Sequence, residues 1–492
     1  MLPLIDLIRA CTETLEYPSA ADALSITNLT ADSRKIEAGS LFIALKGEHV
    51  NGEDFIAQAL EQGALAVLLQ RSEVRVQDSG LAEIRADNPL LAMAQMAAKF
   101  YGRQPRHMAA VTGTDGKTST ADFFRQFWHG LGGKSASLGT LGILSGAGEV
   151  LYPGSHTTPY PIQLHAILSE LVDRPVDYAC LEASSHGLHQ YRLDGVKLEA
   201  AAFTNLTRDH LDYHKTEEAY FAAKLRLFDT LLPEGKTAVL NQDDARFEDI
   251  AAVCKRRKHR IIGFGKAGRE FAVKQLTPLT HGQRVDVELF GKAYTLQVPL
   301  VGAFQVMNIL AALGLVVGTG GDMEKALEVI PYFTGVPGRL EQVAQLANGA
   351  AVYIDYAHTP MALANILKTL RPHTQGKLHV VFGCGGDRDK GKRPEMGRFA
   401  QELADEVIVT DDNPRSEDPA LIRASIMATT SAKEVADRRE AIYVAMKSLA
   451  AGDILVIAGK GHEKTQIVGD QTFPFDDAQV AKEAAKELTL VA

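Results

Sequence analysis

The stretch VTGTDGKTST combines residue types suited to holding phosphate. Gly113 and Gly116 can turn backbone N–H groups toward anionic oxygens, Lys117 brings a cation, and the Thr118 hydroxyl can reach a magnesium ion. Thr114, Asp115 and Ser119 complete the loop, although Val111 stands where a strict P-loop has its first glycine. A magnesium nucleotide also needs an acid, and Glu182 in CLEASSHG ends an apolar run where such an acid is expected. FTNLTRDHLDYHK gathers Asp209, His210, Asp212 and His214, which read either as a metal or phosphate ledge or as an exposed loop. In EEAYFAAKLRLFDTLL, Lys224 falls on one helical face with Tyr220, Ala223, Leu227 and Leu231. A lysine there snorkels to water, or else is paired, deprotonated or chemically modified. GCGGDRDKGKRPEMG has Arg388 where the dinucleotide fingerprint needs its last glycine, so it reads as an anion-binding loop. In TDDNPRSEDP, Arg415 follows a proline of fixed φ; the segment reads as a solvated turn or as a carboxylate clamp.

Strand-like runs alternate with helix-like runs along most of the chain, which predicts an α/β fold with largely parallel sheets. SLFIAL and LAVLLQ flank the helical EDFIAQALEQGA, and NPLLAMAQMAAKFYG leads to a boundary near Gln104. The strand, glycine loop and helix of MAAVTGTDGKTSTADFFRQFW open a second block. The alternation between Phe271 and Leu300 predicts an antiparallel insert, and TGVPGRLEQV reads as a hinge. The expected domains are therefore 1–104, 105–336 and 337–492. MLPLIDLIRACTETLEYP reads as an amphipathic helix of the mature chain. The 492 residues are 46% apolar and 23% charged, as in ordinary globular proteins, and the net charge of −9 argues against a nucleic-acid or anionic-membrane surface. Four scattered cysteines without a CxxC pair read as reduced intracellular thiols, not as a disulfide frame or a zinc site. No run of eighteen apolar residues occurs, so a cytoplasmic protein without a membrane span is expected.

GTDGKTS, EASSHGL, TNLTRDHLDYH, YFAAK, GAFQVMN, PGRLE, DYAHTP, GGDRDKGKR, DNPR and AGKGHE, in this order, resemble the blocks of the Mur ligases of bacterial cell-wall synthesis. They span Gly113 to Glu463, and ADSRKIEAGSLFIALKG resembles the family's N-terminal block. The resemblance implies an N-terminal UDP-sugar-binding domain, a central P-loop ATPase domain and a Rossmann-like C-terminal domain presenting an amino acid. It implies that ATP phosphorylates the D-glutamate carboxylate of UDP-N-acetylmuramoyl-L-alanyl-D-glutamate, and that an amine then attacks the acyl phosphate. Lys117, Lys224, Glu182 and His210 are the implied catalytic residues. Thr118 and Glu182 match a first Mg²⁺ site and His210 a second. Lys224 matches a lysine that the family carries as a CO₂-derived carbamate, N6-carboxylysine, able to hold metal. Asn308 matches an adenine reader, and Arg339 and Asp355 match contacts to phosphate and ribose across the hinge. Ser33, His156, Thr157, Thr158, Ser184, Gln190 and Arg192 match positions that hold the UDP-sugar peptide. The sequence departs from the family around Glu48, His49 and Val50, and His156 replaces an asparagine.

Family members that add a diamino acid divide between L-lysine and meso-diaminopimelate, which carries a second ammonium–carboxylate centre. A site for that centre needs a forked cation and acceptors, which Arg415 with Asp412 and Asn413 could give. DNPR resembles the signature of diaminopimelate-adding members, and Arg388, Pro414, Gly459 and Glu463 match further positions of that pocket. A lysine site would leave Arg415 buried and unpaired. The alternatives are an L-lysine-adding ligase, a folylpolyglutamate synthase, or a P-loop module that hydrolyses ATP only to change shape. A folylpolyglutamate synthase would lack the N-terminal domain and DNPR. A monomer acting on small-molecule substrates is expected.

Overall fold

The computed structural model describes residues 1–47, 51–71, 80–154 and 156–490, so Glu48, His49 and Val50 lie outside the described residues. The chain is α/β and gathers into two compact units, Met1–Phe271 with Asn308–Ala326 and Ala272–Met307 with Leu327–Ala492.

The first unit begins with β1 (Asn28–Thr30), β2 (Ser40–Ile43), β3 (Ala66–Gln70) and β4 (Ala82–Ala86), a parallel sheet in that order. Along β3, Ala66 and Leu68 enter one apolar core while Val67 and Leu69 enter the other. Burial on both faces is what makes a parallel strand read as a continuous apolar run. The helix expected over the first residues covers only Leu4–Arg9. Beyond it, Gln95 Oε1 takes the Thr12 N–H at 2.8 Å and Glu16 pairs with Arg85 through the backbone, so outside partners replace helical hydrogen bonds. Gln95 lies on α1 (Pro89–Tyr101), which starts on the Asn88 cap and stops at the left-handed Gly102.

The larger sheet of this unit carries the phosphate motif. Its strands are β5 (His107–Thr112), β6 (Ser135–Gly139), β7 (Gly142–Ser145), β8 (Val150–Tyr152), β9 (Tyr178–Glu182), β10 (Ala200–Phe203), β11 (Thr237–Asn241) and β12 (Arg260–Gly265). Their order is β8-β7-β6-β9-β5-β10-β11-β12, with β6 and β9 to β12 parallel to β5 and its neighbours, and β7 and β8 added antiparallel. α2 (Lys117–Gly130) leaves β5 through the glycine loop, the strand–loop–helix order read from the sequence. α3 (Ser185–His189) leaves β9 on the Ser184 cap, and α4 (Glu217–Arg226) starts on the Thr216 cap.

In the second unit, the expected antiparallel segment contains the paired strands β13 (Gly282–Leu289) and β14 (Lys292–Val298). α5 (Ala303–Gly318) then carries the chain from this unit into the first. After it come β15 (Glu341–Gln345), β16 (Ala351–Asp355), β17 (Leu378–Phe382), β18 (Glu406–Val409), β19 (Lys433–Glu434) and β20 (Ile454–Ala458). They form one sheet, β15-β16-β20-β17-β18-β19, parallel except for the edge strand β15. The hairpin of β21 (Thr465–Val468) and β22 (Gln471–Pro474) follows.

Candidate active site

The loop between β5 and α2 is held from below by neighbouring chain. Asn205 Oδ1 accepts the Asp115 N–H at 2.9 Å, and Asn205 O accepts the Thr114 N–H at 2.9 Å. Thr114 Oγ1 lies 3.1 Å from the Tyr220 hydroxyl and accepts the Thr207 N–H at 2.9 Å. These bonds spend Thr114 and Asp115 on shaping the loop. Gly116 has φ +84°, and a Cβ there would collide with Asn308 Oδ1. That contact places Asn308, the expected adenine reader, against the loop. Lys117 Nζ donates to Gly113 O at 3.0 Å and Thr114 O at 2.8 Å, inside the turn. Ser119 is half-buried in the first turn of α2.

Glu182 ends β9 beside this loop and is 2% exposed. Its Oε2 accepts from Thr118 Oγ1 at 2.9 Å and its Oε1 from the Thr140 N–H at 2.8 Å. Burial pushes its carboxyl above the usual range against those two donors and Lys117. A carboxylate and a hydroxyl oxygen side by side at a helix N-terminus suit a hard cation that keeps its remaining positions for phosphate oxygens and water. Among the described residues no three His, Cys, Asp or Glu side chains form a metal cage.

Lys224 is 1% exposed, so it does not snorkel. Its Nζ donates to Gly113 O at 2.6 Å and stands 4.4 Å from the centre of the Tyr220 ring. Burial, then the charge of Lys117, lowers its pKa to about 6. His210 is exposed, has φ +52°, and stacks edge-on with His186 at 4.8 Å between ring centres. His186 also meets His214 at 5.5 Å, and His189 meets His214 at 5.8 Å. His210 and His214 come from the TRDHLDYH segment already singled out, whereas His186 and His189 stand in HGLH after the Glu182 strand, whose one-turn spacing was the signal for the other half of the cluster.

The residues matched to the UDP-sugar peptide, Ser33 apart, form a connected network in the same unit. Thr158 Oγ1 donates to Glu182 O at 2.7 Å and lies 2.9 Å from Ser184 Oγ. Arg192 donates to Thr158 O at 2.7 Å and to Gln190 Oε1, and its guanidinium lies 4.0 Å from the centre of the Tyr160 ring. Thr157 Oγ1 is 3.0 Å from Thr140 Oγ1. His156 is exposed and stacks edge-on with Tyr160 at 5.2 Å. Ser33 opens a short turn capped by Asp32 in the N-terminal part of the unit.

In the second unit, Asp355 ends β16 with its Oδ2 on the Leu340 N–H and its Oδ1 on the Ala357 N–H, both at 2.8 Å. Burial pushes its carboxyl above the usual range. The Arg339 guanidinium lies 5.1 Å from the centre of the Tyr356 ring. A cavity of about 530 Å³ opens at the C-terminal ends of β16, β17 and β20, where open parallel sheets hold ligands. Arg388, Asp412, Asn413, Arg415, Gly459 and Glu463 all line it. Pro414 sits between Asn413 and Arg415, its carbonyl packed against Gly386. Arg415 is left-handed at φ +50°, and Nη1 donates to Gly386 O at 2.8 Å. The segment is thus built, not solvated. One role changes. Asn413 Oδ1 already accepts from Lys460 Nζ at 2.9 Å and the Ile467 N–H at 3.1 Å, so Asn413 cannot be the expected acceptor for a ligand ammonium.

A glycine loop between a parallel strand and a helix, with a buried acid on the next strand, defines a nucleotide-binding domain of the P-loop class. Three family descriptions match the chain. They are the Mur ligase family, catalytic domain, over 25–108; the Mur ligase middle domain over 111–316; and the Mur ligase, glutamate ligase domain over 338–461. A UDP-N-acetylmuramoyl-L-alanyl-D-glutamate--2,6-diaminopimelate ligase of Mesorhizobium japonicum is 48% identical over 96% of this chain and 97% of its own. A ligase of the same name from Rhizobium meliloti is 48% identical over 94% and 95%. A solved structure with that name superposes with a TM-score of 0.79 at 34% identity, covering 98% of this chain and 99% of its own. A Mycobacterium tuberculosis folylpolyglutamate synthase complexed with ADP shares the fold, with a TM-score of 0.57 at 19% identity over 76% and 92%. The chain belongs to the Mur ligase family, a family of ATP-dependent amide ligases.

Proposed function

We propose that the chain joins meso-2,6-diaminopimelate to the D-glutamate of UDP-N-acetylmuramoyl-L-alanyl-D-glutamate, with ATP as the phosphoryl donor, in cytoplasmic peptidoglycan precursor synthesis. The observation that carries this is 48% identity, over nearly the whole length of both chains, to ligases named for that reaction. The D-glutamate carboxylate oxygen attacks the γ-phosphorus of ATP and ADP leaves. The diaminopimelate amine then attacks the acyl carbon, phosphate leaves with the C–O electron pair, and the nitrogen loses a proton. The first step brings two anions together, so the site must offset their charge. Lys117 and the N–H groups of the first turn of α2 face that task. Thr118 and Glu182 would hold a Mg²⁺ ion, which supplies further charge neutralisation at the phosphate oxygens when bound.

A neutral Lys224 amine can add CO₂, giving a carbamate and releasing one proton. The depressed pKa and the burial of Lys224 support this reading, because a protonated amine has no lone pair to give. The carbamate would put an anion beside Lys117 in place of a neutral amine. It and His210 would then serve as further metal-holding groups. Asn308, Arg339 and Asp355 would hold the nucleotide, while Thr158, Ser184, Gln190 and Arg192, with Ser33, His156 and Thr157, would hold the UDP-sugar peptide. In the second unit, Arg415 and Arg388 would take carboxylate and Asp412 and Glu463 would take ammonium. Phosphate release measured with each substrate withheld tests the proposal. It should need ATP, the UDP-sugar dipeptide and meso-diaminopimelate together. Turnover with ATP alone, or equal use of L-lysine, would reject it.

A further inference from the structure

Behind the wall of the second-unit cavity lies a lysine that touches none of the lining space. Lys460 is completely buried. Its Nζ donates to Asn413 Oδ1 at 2.9 Å and lies 3.5 Å from Glu463 Oε2. The Ile467 N–H donates to the same Asn413 oxygen at 3.1 Å, and Asn413 Nδ2 donates to Glu463 Oε2 at 3.1 Å. An amide can usually be turned over with little change in shape. Here it cannot, because the reversed amide would point two N–H bonds at an ammonium group and a backbone N–H. β21 runs beside this segment, with Gln466 Nε2 on Asp412 O at 2.7 Å and Arg415 N on Ile467 O at 3.1 Å.

We propose that Lys460 is a positioning residue that fixes the Asn413 amide with its NH₂ group toward the cavity, and thereby makes the Asn413–Arg415 side of the wall a carboxylate site. The inference rests on the diaminopimelate reading above. With Oδ1 filled, the second Nδ2 hydrogen is the hydrogen-bonding capacity Asn413 has left for a ligand. Its partner must be an acceptor, as is that of the neighbouring Arg415 guanidinium. Asp412 and Glu463 remain as anions for the ammonium. Lys460 therefore sorts donors from acceptors without reaching the ligand.

The test is a double-mutant cycle on the full chain, read as KM for meso-diaminopimelate, with KM for ATP and the melting temperature measured alongside. Lys460→Met should raise the diaminopimelate KM roughly tenfold, the scale of one charge-assisted hydrogen bond, and leave the ATP KM within about twofold. Because Lys460 acts through Asn413, the same substitution in an Asn413→Ala background should change the diaminopimelate KM by less than about twofold. Asn413→Asp keeps the bond to Lys460 and removes the donor, so it should match the loss seen in Lys460→Met even where that variant is unstable. An unchanged KM in Lys460→Met or Asn413→Asp, or the same factor in both backgrounds, overturns the proposal. A parent enzyme that does not turn over meso-diaminopimelate refutes the ligase reading instead.

Discussion

A buried lysine whose amine faces a carbonyl, a phenol ring and a second lysine is costly while it stays charged. Lys224 has a folded pKa of about 6. Between that value and the ordinary one of about 10.4, the unfolded chain binds the extra proton, so stability should rise with pH over that range. In CO₂-free buffer the melting temperature of the parent, followed by calorimetry, should climb from about pH 6 toward pH 10. Lys224→Met should lack that slope, melt higher than the parent at pH 7 and lose turnover. A variant that melts lower would show that the amine is not held at a loss. Lys224→Ala should lose turnover and regain part of it with formate or acetate, which can occupy the carbamate's place. At the other site, Arg415→Ala removes a charged fork from the cavity. It should raise the diaminopimelate KM about ten- to a hundredfold and leave ATP binding by calorimetry unaltered. Lys224 was legible as an anomaly, because a charged residue on an apolar stripe stands out against helical periodicity. The role of Asn413 was not, since the donor that fills its oxygen lies 47 residues away along the chain.

The elements were legible where one local rule dominates. Asn88, Pro89 and Gly102 bracket α1 by capping chemistry, and the apolar run before the glycine loop becomes β5. The opening segment departs from its helical pattern because Gln95 and Arg85, distant in sequence, take its backbone groups. The loop–helix junction yields a sharper expectation. Gly116 combines φ +84° with side-chain contact from Asn308 on α5. Gly116→Ala should cost about 1–2 kcal/mol for the left-handed backbone alone, measured by urea unfolding. It should also abolish ATP binding, by displacing Asn308 and the start of α2 together. A stable variant that still binds ATP would separate the loop from α5.

At the scale of the molecule, the boundary drawn from sequence at residue 336 leaves Ala272–Met307 on one side and most of its own compact unit on the other. Within that unit His373 Nε2 accepts the Gly302 N–H at 3.0 Å, and Nδ1 sits 2.8 Å from Leu279 O. Tyr353 donates to Thr280 O at 3.1 Å, and Val301 is buried in the core of the following sheet. A fragment ending at residue 336 should therefore bind a hydrophobic dye and melt below the full chain, although each domain block it contains is intact in sequence. Equal stability would show that the long-range contacts add nothing. A further consequence concerns the carbonyl of Gly113, which accepts from Lys117 and Lys224 at once. Two amines share one acceptor, so a phosphate that engages Lys117 changes what remains for Lys224. With the carbamate proposed for Lys224, linkage would be reciprocal: the factor by which nucleotide alters CO₂ uptake there would equal the factor by which CO₂ alters nucleotide affinity. Through that one oxygen, the hold on nucleotide would then become a gauge of dissolved CO₂.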